Sequence, residues 1–572
     1  MNEPIKMIIE RDLAITMTDG VKIRADVFRP PTDAKVPVIM SLGPYGKGIA
    51  YKDGYGPEWE WLISKHPEIL EGSSGTQMVW ETVDPERWVP DGYAVIRVDS
   101  RGTGRSPGLL DLYSPREVQD YYEAIEWAGT QPWSSGKVGL CGVSYYAINQ
   151  WLVAQLQPPH LAAILPWDGL NDHYRELAYH GGILSNGFFE LWYPGRVLRN
   201  QHGKGTEGVM DSWLNEPAAG PETLSEEELA QNRADFFGTV KVHNLDDAFH
   251  RSRSADFAKI TVPILSAANW EGCLHPRGNF AGFTESASTQ KWLEVHGGRH
   301  EERFYEPDAI ELQKRFMAYF LKDEDNGWQE EAPVLLYIRH PGERFELRRE
   351  YEWPLARTEW TELQLDVAEE TLSWEPVRQK GQVTFDALGE GITLFSAPLT
   401  STMEITGPLV AKLFIASSTV DADLFVTLRG FTAMDEEITF QGTLDPAVAL
   451  AHGWLRASHR KLDATRSKPF QPYHSHDELL PLNPGEVYEL DVEIWPTCIV
   501  LEPGSRIALT IAGRDFARGA TGLNDLKNHG SGPFVHNDPD DRPSEVFGGS
   551  TTLYTGPEYP SSVLLPIIPA GD

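Results

Sequence analysis

At 572 residues the chain is too long for a single hydrophobic core, so two or three domains are expected. Apolar residues at 41% and charged residues at 23% fit an ordinary folded protein and exclude a collagen-like or disordered chain. A formal charge of -34, spread along the chain rather than gathered in a tail, makes a surface that repels phosphate backbones and anionic lipid heads; neither nucleic acid nor membrane is expected as a partner.

The opening MNEPIKMIIERDLAITMTDG has no basic start followed by a continuous apolar stretch, and no later segment is apolar enough to span a bilayer. Neither an export signal nor a membrane span is expected. Cys141, Cys273 and Cys498 are odd in number and widely spaced, which supports neither a disulfide framework nor a metal knuckle and is compatible with a reducing cytoplasm.

VPVIMSL (37–43) and YAVIRVDS (93–100) read as buried strands, VQDYYEAIEWAGTQ (118–131) as a helix, and KVGLCGVS (137–144) as a strand running into a turn before the helix-compatible YYAINQWLVAQ. This alternation predicts a parallel α/β sheet. From 170 to 255 strand signals fade into aromatic, helix-compatible segments, an inserted cap of the kind that lies over a site. The sheet resumes at KITVPILSAAN (259–269) and KWLEVHGG (291–298), followed by the helix AIELQKRFMAYFLKDE (309–324). After Gly327 the chain turns to alternating segments such as PLVAKLFIASS, DLFVTLRGF, GEVYELDVEIW and SRIALTIAG, the signature of a β-sandwich.

The segment GLCGVSYYA (139–147) places Ser144 where a strand enters a turn before a helix. A hydroxyl becomes a nucleophile when its backbone presents it outside the sheet and a base removes its proton. Gly142 stands at the first glycine of the G-x-S-x-G elbow, while Tyr146 occupies the second. In that chain order an acid and then a base follow. His300, in VHGGRHEERFY beyond the last core strand, is the candidate base, with His296 one loop too early. Glu271, in AANWEGCLHPRG, is the candidate acid, and Asp168, closing the preceding strand in AILPWDGLND, is the alternative. For the oxyanion, the backbone N–H of Tyr145 is one donor and the phenol of Tyr45, in LGPYGKG, a candidate second.

Trp151, Trp167, Phe188, Phe189, Trp192 and Trp270 are available to line an acyl pocket. The cap acids Asp172, Glu176 and Glu190 would suit a substrate ammonium. His300-Glu301-Glu302 is not the HExxH metal motif, and VHNDPDDRP (535–543) reads as a surface turn. DSRGTGRSPG (99–108) lacks the lysine of a phosphate loop and reads as a tight turn near the site. Cys141 falls on the strand, where it should be buried and unreactive.

With these residues in hand the sequence resembles the cocaine-esterase-like (CocE/NonD) serine hydrolases, related to X-Pro dipeptidyl peptidases and α-amino-acid ester hydrolases. The resemblance runs from TMTDGVKIRADVFRP and PVIMSLGPYGKG through GYAVIRVDSRGTGRSPG and CGVSYYA to LNPGEVYELDVEIWPTCIVLEPGSRIALTI. It implies an α/β-hydrolase core (1–169 and 256–327), a helical cap (170–255) and a C-terminal jelly-roll β-sandwich (328–572). It also implies a catalytic serine at Ser144, a histidine at His300, and oxyanion donors at Tyr45 and Tyr145. The family acid lies in W-x-D-G, whereas Trp270-Glu271-Gly272 is one residue shorter and carries Glu, and Ala147 stands where relatives often carry glycine.

The expected activity is hydrolysis of a carboxylic ester or amide through an acyl-enzyme, without a cofactor. Aminoacyl-ester or X-Pro peptidase specificity is the alternative within that chemistry. A carbohydrate- or protein-binding protein with an inert core is the alternative outside it. The partner expected is a small-molecule substrate, and homo-oligomerisation stays open.

Overall fold

The apolar runs of the first half are too continuous for a sheet with one wet face, and they form strands covered on both sides. The computed structural model describes residues 6–271, 274–443, 445–517 and 535–569. Its chain opens with the antiparallel pair β1 (Ile8–Thr16) and β2 (Lys22–Arg29), followed by β3 (Val36–Gly43), β4 (Ala94–Asp99), β5 (Ser134–Val143) and β6 (Leu161–Trp167). A two-residue hairpin, β7 (Tyr179–His180) and β8 (Ile183–Leu184), lies in the insertion. Then come β9 (Ile264–Asn269), β10 (Lys291–His296), β11 (Val334–His340) and β12 (Arg344–Glu350).

All but the hairpin join one ten-stranded sheet in the order β1-β2-β4-β3-β5-β6-β9-β10-β11-β12. The run from β4 to β11 is parallel. Every residue of β3 and β4 is buried. The helices Pro115–Gly129 and Tyr145–Ala154 follow β4 and β5, the first started by Ser114, whose hydroxyl accepts from the Glu117 amide. The sheet continues past residue 327, because β11 and β12 add to its edge.

Residues 170–255 carry short helices, Asn186–Trp192, Glu226–Gln231, Phe236–Val242 and Ala248–Arg251, beside the β7/β8 hairpin. From Glu359 on, strands pair into a twelve-stranded sheet. Its longest strand, Met403–Ser417, shows the physics plainly: Ile405, Leu409, Ala411, Leu413 and Ile415 alternate onto the core face, and the register slips once between Gly407 and Leu409, where Pro408 has no N–H to give. Ser562–Ile568 pairs with both Glu359–Asp366 and Met403–Ser417, so the sheet closes on itself.

Buried arginines tie the two sheets and the insertion together. Arg277, on the helix Pro276–Glu285, pairs with Glu176 of the insertion at 2.9 Å and Glu493 of the second sheet at 3.0 Å. The stretch 535–543 is not the surface turn expected. Val535 and His536 are buried, the Val535 carbonyl accepts from the Gly187 amide, and His536 meets His180 at 2.8 Å. Among the described residues no helix is long and apolar enough to cross a membrane.

Candidate active site

β5 ends at Val143, and Ser144 takes φ 57° and ψ -114° before the helix begins at Tyr145. A non-glycine residue held there is strained and persists only where its surroundings dictate it. Two small residues make the room. A Cβ on Gly142 would sit 2.6 Å from the Tyr146 Cβ, and one on Gly43, at the end of β3, would sit 2.5 Å from the Tyr146 ring. Tyr146 therefore replaces the second elbow glycine because β3 yields space to its ring. Ala147 packs so closely on Gly169 that a Cβ there would lie 2.7 Å from its methyl. The Ser144 amide donates to the Trp167 carbonyl and the Val143 amide to the Glu81 carbonyl, each at 3.0 Å, which straps the turn to two neighbouring segments.

The ring nitrogen on the serine is not the one expected. His275 Nε2 lies 3.2 Å from Ser144 Oγ. His275 stands on the loop after β9, at the N-cap of the helix Pro276–Glu285. Burial, reinforced by nearby His300, holds it well below the usual histidine range, so it is neutral. His300 enters the same pocket with its ring centroid 6.3 Å from that of His275. Its Nε2, however, meets Glu81 Oε1 at 2.7 Å, and its Nδ1 meets Thr443 Oγ1 at 2.9 Å and Glu301 Oε2 at 3.1 Å. Burial opposes its charge, but Glu301 and Glu81 outweigh burial and bring it up to about 9. Glu81, at φ 62°, is pushed by burial up to about 7 against the pull of His300.

Neither expected acid orients His300. Glu271 is buried with Arg339 of β11 at 2.9 Å and accepts from the Gly298 amide at 3.0 Å, so both of its oxygens are taken up in tying strands together. Arg339 in turn donates to the Cys498 and Leu450 carbonyls of the second sheet. Asp168 faces His296 Nε2 at 3.5 Å, and burial raises it to about 7. Glu271 thus turns its carboxylate toward β11 and the Gly298 amide.

Tyr45, just beyond β3, is buried, and its phenol oxygen accepts from Trp192 Nε1 at 3.0 Å. That leaves the phenol proton to be donated elsewhere. Burial raises Tyr45 far above the usual tyrosine range, so the proton stays on. The Tyr145 amide opens a helix, where first-turn N–H groups have no acceptor within the helix, while its phenol donates to Glu117 at 2.8 Å.

The architecture and the elbow invite comparison with known proteins. Residues 19–302 match the family profile of X-Pro dipeptidyl-peptidase (S15 family), and residues 326–564 that of the X-Pro dipeptidyl-peptidase C-terminal non-catalytic domain. A solved CocE/NonD family hydrolase from Staphylococcus aureus is 32% identical, with a TM-score of 0.84 over 98% of this chain and 94% of that one. The chain belongs to the CocE/NonD hydrolases. It is an enzyme, a serine hydrolase. This CocE/NonD hydrolase is also 24% identical to the cocaine esterase of Rhodococcus sp. (strain MB1 Bresler), covering 98% of each. It shares the fold of an α-amino acid ester hydrolase at a TM-score of 0.66 and 16% identity, over 98% of this chain and 96% of that one.

Of the six aromatic residues expected to line the pocket of this CocE/NonD hydrolase, Trp192 reaches a site residue through its indole, with Phe188 stacked on it at 5.3 Å. Trp167 contributes its carbonyl to Ser144 and stacks its ring on His296, and Phe189 stacks on Phe237. Trp151 packs edge-on against Phe257, and Trp270 donates to the Tyr337 carbonyl away from Ser144. Trp80, which the sequence did not single out, packs on Tyr45 at 4.8 Å and faces His300. Asp172 and Glu176 are ion-paired with Arg175 and Arg277, and Glu190 accepts from Asn186. Asp99, heading the tight turn, accepts from the Lys47 and Arg105 amides. Cys141 is buried, and Cys273 lies outside the described residues.

Sequence reasoning missed His275, Glu81 and Trp80. His275 carried one signal: it follows a strand of the parallel run directly, at the edge where α/β sheets place their ligands, and precedes a helix-starting proline. Glu81 carried none, since its loop precedes β4 and only folding brings it beside the elbow.

Proposed function

We propose that this chain hydrolyses a small-molecule carboxylic ester or amide through an acyl-enzyme on Ser144. Oγ attacks the carbonyl carbon as a histidine nitrogen takes its proton. The oxyanion accepts from the Tyr145 amide and the Tyr45 phenol. Collapse breaks the bond to the leaving alcohol or amine, which departs with the proton from the imidazolium. Water then attacks the acyl carbon, gives its proton to the same histidine, and the acid leaves as Ser144 regains its hydrogen. The observation that carries this reading is a serine strained at φ 57° with an imidazole nitrogen 3.2 Å from its hydroxyl.

Esters are favoured over unblocked aminoacyl or X-Pro substrates because Asp172 and Glu176 are already neutralised by arginines. The arrangement supports an α/β-hydrolase core with a cap over it, and the closed antiparallel second sheet supports a jelly-roll-type domain. Buried, unbridged Cys141 and Cys498 fit a reducing cytoplasm.

A fluorophosphonate probe followed by intact-mass and peptide mapping tests the reading. One adduct on Ser144, absent from Ser144→Ala, is expected, together with a loss of kcat of at least about 10⁴-fold on an aryl ester. A folded protein that takes no adduct and hydrolyses no ester would sink it, and retained glycan or protein binding would then favour an inert core.

A further inference from the structure

A carboxylate buried without a cation is costly to keep, and an apolar pair of the same shape would fill its place without that cost. Glu117, on the helix Pro115–Gly129, is such a group: it is 4% exposed, no cation is paired with it among the described residues, and burial pushes it up to about 7. A glutamate at the third position of a helix commonly turns back to the amide of the cap residue. This one reaches the Tyr113 amide instead, at 2.7 Å, and accepts from the Tyr145 phenol at 2.9 Å on one oxygen and 2.8 Å on the other.

On the reading above, Tyr145 serves the oxyanion site in two ways. Its amide is the donor next to the nucleophile, and its ring is a wall for the other donor. Tyr45 packs edge-on against that ring with centroids 6.0 Å apart, and Trp192, whose indole donates to the Tyr45 phenol at 3.0 Å, stacks beside it at 6.2 Å. Tyr113, held at φ 56°, stacks on the Tyr145 ring at 4.4 Å. The ring is fully buried, and its one polar atom is the hydroxyl that Glu117 holds. It cannot turn without breaking that bond, so the Tyr145 backbone, Tyr45 and Trp192 are fixed together.

We propose that Glu117 is a positioning residue for the oxyanion site: by holding the Tyr145 phenol it sets both donors at once, the Tyr145 amide through that residue's own backbone and the Tyr45 phenol through the ring it packs against. The inference rests on the acyl-enzyme reading above and deepens it. Glu117 touches neither substrate nor serine, and its effect passes entirely through Tyr145.

The test measures kcat and KM on an aryl ester, and the inhibition constant of an aryl boronic acid, whose tetrahedral adduct on Ser144 puts an oxygen at the oxyanion position, in Tyr145→Phe, Glu117→Ala and Glu117→Gln. Tyr145→Phe keeps the ring and the amide and loses only the hydroxyl. Its kcat should fall about tenfold with KM unchanged, and its affinity for the boronic acid should fall by the same factor, which a loss of packing alone would not produce. Glu117→Ala should match it, and Glu117→Gln, which keeps an acceptor for the phenol, should recover most of the loss. In a Tyr45→Phe background the further loss from Tyr145→Phe should be smaller than in wild type, because one of the two donors it serves is gone. Wild-type kcat and boronic acid affinity in Tyr145→Phe, a change confined to KM or to the melting temperature, or equal losses in both backgrounds overturn the proposal. Should Glu117→Ala not fold, Tyr145→Phe and Glu117→Gln decide it. Wild-type protein that takes no fluorophosphonate on Ser144 defeats the acyl-enzyme reading itself, whereas labelled wild type with an indifferent Tyr145→Phe defeats this inference alone.

Discussion

At the scale of single residues, Tyr45 shows how a neighbour fixes the direction of a proton. A buried phenol with no partner would rotate freely. Here the Trp192 indole donates to its oxygen at 3.0 Å, which leaves one way to use the proton. On the proposed role of its phenol as an oxyanion donor, Tyr45→Phe should lower kcat by about 10²-fold with little change in KM. Trp192→Phe leaves the phenol in place but unguided, and a loss of about tenfold in kcat is expected. Because both changes act on one hydrogen bond, the double variant should lose little more than Tyr45→Phe alone. Steady-state kinetics on one aryl ester checks this. Additive losses would show that Trp192 acts on the substrate and not through Tyr45.

At the scale of elements, the loops beyond β9 and β10 carry two partly independent tasks. Glu271 leaves β9 and returns to β11 through Arg339, a buried pair that also holds two carbonyls of the second sheet. Removing one member of such a pair strands the other charge, so Glu271→Ala should cost about 3–5 kcal/mol of stability. Chemical denaturation measures this. A fully stable variant that has lost its turnover would instead return Glu271 to the chemistry. The same loops show what a sequence can tell. The buried runs of β3, β4 and β5 and the alternation of Met403–Ser417 were legible because each period is local. The serine elbow was legible because strand, turn and helix follow one another within a dozen residues. The partners of His300 were not, because Glu81 and Thr443 arrive from opposite ends of the chain. The pairing of Glu271 was not legible either, because nothing near it in sequence announces Arg339.

At the scale of the whole molecule, buried histidines collect where the insertion meets the second sheet. His173 meets His250 at 2.8 Å, His180 meets His536 at 2.8 Å, and His459 meets His476 at 2.9 Å. The His474 carbonyl accepts from Arg175 of the insertion. Burial holds His173, His180 and His476 well below the usual range, His250 down to about 4, and His459 and His474 down to about 3. These folded-state values lie below the unfolded value of about 6.5, so in acid the unfolded chain binds more protons, and stability rises with pH. Their contribution is complete above about pH 6.5 and drains away as pH falls toward the folded values, at about 1.4 kcal/mol per pH unit for each group. His300 has the opposite sign. Its folded value is raised to about 9, so its contribution is present below about 6.5 and is lost as pH rises through about 9. The buried carboxylates Glu81, Glu117, Asp168, Glu176 and Glu271, which burial raises to about 7, act in the opposite direction to the lowered histidines, since the folded chain binds more protons at those sites as pH falls. His459→Gln, which removes one of the lowered histidines, should move the change in melting temperature between about pH 7.5 and about pH 5.5 upward relative to wild type. Because one of the buried histidine pairs, His180 with His536, joins the insertion to the C-terminal domain, ester hydrolysis should decline with the loosening of that seam before global unfolding. The same pH dependence in His459→Gln as in wild type would mean that His459 is already charged in the folded protein.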